Sequence, residues 1–437
     1  MFETLKNAFR VKEMRHKLLY MLAMIVIIRL GCQLPIPGAD SEYFQQWFAS
    51  YAGDAFNFFD AFSGGSFTQM SIFALNISPY ITASIIIQLL TIAIPALEEM
   101  HKDGEEGRKK IARITRYTAI GLALFEGTAT IIGFGRQGLI ANMNFFNGLV
   151  AVGSMVAGTA FLMWLGDRIT EEGIGNGTSL ILCVNILSRI PSDFGTLYEN
   201  FIKGKSFARG GLAALIIAAI VVVLVVFVLI LNGAERRIPV QYSKKMVGRK
   251  MMGGHSTHIP LKVNTAGVIP VIFASSIMSF PSIIAQFAGK TASGIGAQIL
   301  NGLSSSNWCN PNRLQYSWGL IVYVVLCIFF AYFYTSITFN PLEIADNIKK
   351  QGGFIPGIRP GKPTSDYLTK ILNYIVFIGV IGLIIVAVMP YFFNGMFGAS
   401  VSFGGTSIII IVGVILDTIK QIESQMLIRN YKGFLNN

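Results

Sequence analysis

The chain has 437 residues, of which 53% are hydrophobic and only 13% are charged. Because a soluble domain carries about 25% charged residues, this composition argues against a soluble globular protein and favours a membrane protein. The formal net charge is +12, and the four cysteines have no CxxC spacing, so the sequence indicates neither a disulfide framework nor a cysteine-rich zinc site.

Long apolar runs follow one another along the chain. A helix needs about 20 residues to cross about 30 Å of hydrocarbon, and a backbone in lipid must satisfy its own polar groups. The sequence therefore predicts an all-α integral membrane protein with ten transmembrane helices. In chain order the predicted spans cover residues 18–34, 71–94, 117–135, 150–166, 178–190, 212–232, 264–288, 317–338, 371–393 and 404–422.

The first predicted span follows basic residues, as the apolar part of a secretory signal does. The stretch "GCQLPIPGAD" offers no small-x-small cleavage site, however, so we expect this span to remain. Lys and Arg residues favour the cytoplasmic side of a membrane. With the amino terminus inside, 27 of the 35 Lys and Arg residues lie in inner segments and 7 in outer ones. We therefore predict that both termini are cytoplasmic.

Motifs that would indicate catalysis fail in their context. The "GIGNG" stretch at 173–177 follows no strand, and its last glycine is wrongly spaced for a dinucleotide loop. The Gly-Lys-Ser in "FIKGKS" has Glu199 where a phosphate loop needs glycine. His255 and His258 have no accompanying cluster of carboxylates or thiols. The sequence therefore predicts no enzyme activity, no cofactor and no metal site.

A secondary transporter of a small solute is the alternative function. Transporters hold ions and substrates with polar groups near the membrane midplane. The candidates here are Arg29, Glu126 and Asp417, which fall in three different predicted spans. Three scattered charges make a poor proton relay, so helix packing or snorkelling is the favoured role for each.

Two apolar features carry no group that could bind a solute or catalyse a reaction. The stretch "NFFDAFSGGSF" at 57–67 is too short to span and contains a Gly64-Gly65 hinge. In "NISPYITASIIIQLL", Ile77 and Ile81 lie one helical turn apart on one face. An uncharged apolar constriction gates ions by dewetting, although periodicity alone favours ordinary helix packing.

Seven stretches in one order resemble the SecY/Sec61-alpha family of protein-conducting channels, over essentially the whole chain. The resemblance implies ten helices in two inverted five-helix halves around a central pore, and a passive channel without enzyme activity of its own. The matching stretches are "QLPIPGAD" (33–40), "FSGGSF" with "SIFALNISPYITASIIIQLL" (71–90), "FLMWLGDRITEEGIGNG" (161–177), "RRIPVQY" (236–242), "STHIPLKVNTAGVIPVIFASSI" (256–277), "FNPLEIADNIKKQGGFIPGIRPG" (339–361) and "FGGTSIIII" (403–411).

The resemblance divides the single channel domain (1–437) into an amino-terminal half, 1–190, and a carboxy-terminal half, 205–437, joined by an outer loop around 191–211. It implies that unfolded preproteins cross through the pore and that membrane-protein helices leave sideways into lipid. It also assigns residues 56–67 as a half-helix that plugs the resting pore. The plug residues are Phe56, Phe58, Phe59, Phe62, Ser63, Gly64, Gly65 and Phe67.

A ring of apolar side chains lines the pore constriction in this family. Thr178 departs from the aliphatic residues that are usual at its position, which puts the seal beside it in doubt. We expect its hydroxyl to bond back to a helix carbonyl. The matching ring positions are Ile77, Ile81, Thr178, Leu182, Ile272 and Ile410.

The resemblance implies a place in the bacterial cell membrane and a set of partners. These are the SecE and SecG subunits, the SecA motor, which hydrolyses ATP, the ribosome, signal sequences and the lipid bilayer. Two basic inner loops, 234–262 and 340–370, are the expected docking surfaces, and Arg359 is expected at the tip of the second. The basic residues concerned are Arg236, Arg237, Lys244, Lys245, Arg249, Lys250, Lys349, Lys350 and Arg359.

Overall fold

A computed structural model gives the fold of most of the chain. Plug residues Phe56, Phe58, Phe59 and Phe62, and the basic residues Lys244 and Arg249, lie outside the described part. The described residues are 9–51, 60, 63–135, 140, 144–201, 203, 207–242, 245–247, 250–252, 256–287, 294–304, 307–397 and 405–435.

The chain divides into two compact units. The first unit comprises Met1–Thr196, Ser282–Ala297 and Val414–Asn437, and the second comprises Leu197–Pro281 and Gln298–Gly413. In chain order the first helices are α1 (Lys12–Gly31), α2 (Ser41–Tyr51), α3 (Ser78–Ala93), α4 (Pro95–Lys102), α5 (Gly104–Phe134), α6 (Phe145–Glu172) and α7 (Gly177–Phe201).

Helices and a small sheet make up the remainder of the described chain. The helices are α8 (Phe207–Gly233), α9 (Ile269–Phe287), α10 (Ile295–Leu303), α11 (Trp318–Thr338), α12 (Pro341–Lys350), α13 (Lys362–Phe397) and α14 (Gly405–Leu435), with a 3-10 helix at Pro311–Tyr316. The strands are β1 (Glu235–Tyr242), β2 (Lys245–Val247), β3 (Lys250–Met252), β4 (Ser256–Lys262) and β5 (Gly353–Phe354).

Length and composition mark six of the described helices as able to cross a membrane, or seven if α3 and α4 form one bent span. The chain turns by 104° between these two helices, where α4 begins at Pro95, a residue that suits the first position of a helix. Helices α1, α9 and α14 overlap most of the predicted spans 18–34, 264–288 and 404–422. By these criteria the described residues do not confirm all ten predicted spans.

Helix α7 runs further than the sequence indicated. The predicted span ended at 190, yet the helix continues to Phe201 through Pro191, a residue that cannot donate a backbone hydrogen bond. A membrane helix tolerates an internal proline when neighbouring groups satisfy the freed backbone carbonyl. The predicted outer loop around 191–211 is therefore largely helical in its described residues.

The core of the first unit has an aromatic centre, the phenylalanine cluster, made of Phe44, Phe48, Phe67 and Phe134. The ring centroids of Phe44 and Phe134 are 5.2 Å apart, and those of Phe44 and Phe67 are 5.8 Å apart, in edge-to-face arrangements. Edge-to-face contacts of this kind are favourable beyond the area that they bury. The cluster joins α2, α5 and the segment that precedes α3.

In the second unit β1 is the central strand of a three-stranded sheet in the order β4-β1-β5. Strand β1 pairs antiparallel with β4, with Ile238 opposite Ile259. Its residues alternate between buried Ile238 and Val240 and exposed neighbours, as a strand with one apolar face does. Leu261 of β4 packs in the same cluster, and Ile348 with other apolar residues of α12 and α13 covers that face. We call β1, β4, β5 and α12 the sheet module.

Candidate functional site

The residues just before α3 form a compact turn, the serine–glycine turn, Ser63–Phe67. The Ser63 hydroxyl donates to the Asp60 carbonyl oxygen at 3.1 Å and accepts from the Phe67 N–H at 3.1 Å. Gly64 and Gly65 have φ angles of +68° and +87°, values that residues with a side chain rarely adopt. The glycine pair therefore makes the tight turn, and its role as a hinge stays a prediction.

One face of α7 receives this turn. Asn185, Ser188 and Arg189 lie at helical spacing on that face, and Arg189 forms an ion pair with Asp60. The Ser188 hydroxyl lies 3.3 Å from the carbonyl oxygen of Gly64. The side chains of Ser188 and Arg189 thus contact the described end of the predicted plug.

Phe67 is fixed in a different way from the glycines before it. Its side chain is 5% exposed and belongs to the phenylalanine cluster, with its centroid 6.4 Å from that of Phe134. Ser63 and Gly64 are buried, whereas Gly65 is half-buried. Phe67 is therefore an anchor within the core at the carboxy-terminal end of the predicted plug.

The predicted ring residues of the first unit differ in burial. Ile77 is fully buried in a cluster with Ile28 and Leu162, and the half-buried Ile81 packs against the same cluster. The Ile81 N–H donates to the Ile77 carbonyl at 3.0 Å, so the two residues lie one helical turn apart. Leu182 is buried at 8% exposure. Packing accounts for Ile77, and its pore role stays a prediction.

Asn176 caps the start of α7, and Thr178 bonds to this cap instead of back to a helix carbonyl. Its hydroxyl donates to Asn176 Oδ1 at 2.6 Å, and its N–H lies 3.1 Å from the same oxygen. Its methyl group lies beside Gly166, whose missing Cβ would be 3.2 Å away. In the second unit, ring residue Ile272 is half-buried and Ile410 is 5% exposed.

The sheet module exposes basic side chains. Arg236, Arg237, Lys349 and Lys350 are all exposed, and Arg237 forms a surface ion pair with Glu235 at 2.7 Å. Such an exposed pair contributes little to stability, so these charges remain able to meet a partner. Of Lys245 and Lys250 the structure describes only the backbone, in β2 and β3.

Arg359 lies on an exposed turn between β5 and α13. The turn is anchored by Ile355, which is 3% exposed and accepts a backbone hydrogen bond from Ile358 at 3.0 Å. The Thr364 hydroxyl donates to the Arg359 carbonyl oxygen at 2.8 Å. The backbone at Arg359 is thus held while its guanidinium group reaches solvent, as the Pro- and Gly-rich sequence indicated for a shaped tip.

The positions of charged residues in the sequence did not indicate the contacts that Asp60, Arg189 and Asn185 make in the structure. Arg189 counted only as an outer charge, and Arg29 as a packing or snorkelling residue. In the structure the Arg29 guanidinium lies 3.4 Å from Asn185 Oδ1, which agrees with a packing role. The available signal was the polar spacing of Asn185, Ser188 and Arg189 along an otherwise apolar span.

Comparisons with known proteins agree along the chain. A family model described as SecY matches residues 71–419. The protein translocase subunit SecY of Streptomyces galbus is 44% identical, covering 100% of this chain and 100% of the relative. That of Mycobacterium tuberculosis (strain ATCC 25618 / H37Rv) is 43% identical and covers 98% of each chain.

Solved structures share the fold at lower identity. One described as the structure of a protein conducting channel has a TM-score of 0.62 at 17% identity, covering 94% of this chain and 92% of that one. Sec61 in the canine ribosome-channel complex has a TM-score of 0.60 at 16% identity, with the same coverage. The chain therefore belongs to the SecY family, whose members are the protein-conducting channel subunits of protein translocases.

Proposed function

We propose that this chain is the channel of a bacterial Sec translocase, which passes unfolded preproteins across the cytoplasmic membrane and releases membrane-protein helices sideways into lipid. The observation that carries the proposal is its 44% identity to a SecY subunit over the full length of both chains. The excess of Lys and Arg in predicted inner segments supports cytoplasmic termini. The transporter alternative is not favoured, because the family consists of channels.

The proposed pathway runs between the two predicted halves, 1–190 and 205–437. Its constriction is the ring of Ile77, Ile81, Thr178, Leu182, Ile272 and Ile410. An apolar collar without fixed charge excludes ions by dewetting and contacts passing side chains without sequence preference. The lateral exit lies between predicted spans 2 and 3 on one side and 7 and 8 on the other.

The proposed plug is the segment 56–67, which closes the idle pore. Support comes from its described end, where the serine–glycine turn contacts α7 through few groups while Phe67 is anchored in the core. A segment held in this way can leave its seat without unfolding the helices around it. Phe67 then acts as the fixed end of the plug.

The proposed docking surface is the sheet module with the Arg359 turn. Its exposed basic residues suit acidic protein surfaces and phosphate groups, because a guanidinium group makes forked contacts with both. We infer that SecA and the ribosome bind here, and a solved Sec61 channel bound to a ribosome supports the second partner. The channel supplies no energy, so ATP hydrolysis belongs to SecA.

Reconstitution tests this function. The chain, purified from bacterial membranes in mild detergent, is expected to retain a small SecE-like subunit and one like SecG. Vesicles containing this complex should protect a preprotein from added protease only when SecA and ATP are present. Failure to protect the preprotein, together with thermal stabilisation by a small solute but not by SecA, would instead indicate a transporter.

A further inference from the structure

A buried ion pair ties the serine–glycine turn to α7. The side chain of Asp60 is 2% exposed and that of its partner Arg189 is 24% exposed. The other carboxylate oxygen of Asp60 accepts from the Thr68 N–H at 2.9 Å, and its carbonyl accepts from the Gly65 N–H at 3.2 Å. Asp60 therefore shapes the turn and connects it to α7 at the same time.

An ion pair in this position favours two arrangements of the turn, one seated on α7 and one released from it as a whole. While the turn is seated, Arg189 compensates the buried charge of Asp60, and removal of Arg189 would leave that carboxylate buried without its partner. When the turn leaves as a whole, both charges regain water, which offsets much of the lost attraction. The pair therefore opposes partial displacement of the turn more than complete release.

Gly64 makes the second contact with α7. A Cβ at this position would lie 2.7 Å from the carbonyl oxygen of Asn185 and 2.9 Å from the Ser188 hydroxyl. A Cβ at Gly65 would meet nothing within 4 Å, although Gly65 also has a positive φ. Only Gly64 is thus required by the fit of the turn on α7, whereas both glycines serve the backbone conformation.

We propose that the Asp60–Arg189 pair and the close approach of Gly64 to α7 form a latch that holds the plug closed, and that channel opening breaks it. This inference rests on the proposed plug function. The anchored Phe67 sets the end of the moving part, so the latch acts on the residues before it. Asp193, which is 4% exposed and interacts electrostatically with Arg189, lies on the same helix four residues further on.

The test is a double-mutant cycle read as ion conductance of idle channels in planar bilayers. Arg189→Gln is expected to raise the leak at least about tenfold, because it leaves the Asp60 charge buried alone. Asp60→Asn, which keeps an oxygen for Thr68, should raise it less. The double variant should leak no more than Arg189→Gln, since coupled residues are not additive. Glu199→Gln, which removes an exposed ion pair with Lys203 near the end of α7, is the matched control.

A second pair of variants tests the seat without touching a charge. Gly64→Ala is expected to raise the leak above that of Gly65→Ala, which carries a similar backbone strain without the contact. The latch would be overturned if Gly64→Ala and Gly65→Ala gave equal ion leak and if Arg189→Gln and Asp60→Asn leaked no more than Glu199→Gln. If the channel without its plug still leaks in that case, the plug proposal holds and only the latch proposal is wrong. If plug removal is also tight, both proposals are wrong.

Discussion

The serine–glycine turn and the sheet module are both short, non-spanning parts of the chain, but they are held in different ways. In the sheet module a continuous antiparallel ladder joins β1 to β4, from Glu235 opposite Lys262 to Gln241 opposite Ser256. Beneath it lies an apolar core contributed by α12 and α13. The turn has neither ladder nor core, apart from Phe67, and depends on a few side-chain contacts with α7.

One chain can therefore combine a moving part, the serine–glycine turn, with a fixed part, the sheet module. A hydrogen-bonded ladder over an apolar core opens cooperatively and at high cost, whereas a segment with few contacts belongs to the easily opened end of a structure. The turn suits a plug that leaves with each transported chain. The sheet module suits a docking surface that must keep its shape, so damage to one region should spare the function of the other.

The largest expected effect is on docking. Arg359→Glu should reduce SecA-dependent translocation to background, a loss of at least about tenfold. The change replaces the guanidinium group, a forked hydrogen-bond donor, with a carboxylate that repels an acidic partner surface. Arg359→Lys should also be clearly impaired, since a point charge cannot reproduce the fork. Preprotein protection in reconstituted vesicles measures both, with Lys362→Glu as a nearby charge control. Full activity of both Arg359 variants would reduce this residue to a topology charge.

Plug removal should have the next largest effect, on the seal alone. Deletion of residues 56–66, which keeps the buried anchor Phe67, should leave folding and SecA binding intact, because the membrane helices carry most of the burial. It should raise the ion conductance of idle channels by at least about tenfold and relax the requirement for a signal sequence. Single-channel recordings as quiet as those of the parent would remove the plug assignment.

Changes in the ring should open the seal less. Ile81→Gly or Ile272→Gly should widen and wet the constriction and raise the leak severalfold, whereas Ile81→Leu and Ile272→Leu should be nearly silent. Conductance recordings and the amount of protein in the membrane separate the two roles. Loss of stable insertion with unchanged leak would show that these residues only pack helices.

The smallest effect on transport should follow from weakening the sheet module. Ile238→Ala should cost about 2–5 kcal/mol of local stability, because it leaves a cavity under β1, and should reduce SecA binding without raising the leak. Protease sensitivity of the sheet module measures the loss of local stability. Gln241→Ala, at an exposed position of the same strand, is the control. A leak in Ile238→Ala would break the separation between the two regions.

The sequence predicted the membrane class and the family because both depend on long patterns. Apolar runs of span length need no knowledge of tertiary contacts, and the spacing of prolines and glycines around Arg359 excludes a helix locally. The strands of the sheet module were not predicted. "RRIPVQY" and "STHIPLK" are short, and the ladder between them joins Gln241 to Ser256 across a long connection.

The serine–glycine turn was predictable in position but not in its contacts. Gly64 and Gly65 indicated a turn, yet the ion pair of Asp60 with Arg189 joins residues more than a hundred positions apart. No local pattern specifies such a pairing. Thr178 likewise appeared as an exception in the ring, whereas its hydroxyl bonds to Asn176, a choice that depends on how α7 begins.

If the proposed ring lines the channel, a polypeptide in transit lies beside its side chains, and site-specific photo-crosslinking detects that contact. A photoreactive amino acid is placed at position 81 or 272, or at the control position Val223 in α8, which is 66% exposed, and a preprotein is arrested during SecA-driven transport. Cross-links to the arrested chain are expected from positions 81 and 272, and none above background from 223. Transport into a protease-protected state without cross-links from 81 and 272 would show that the polypeptide does not pass the proposed ring.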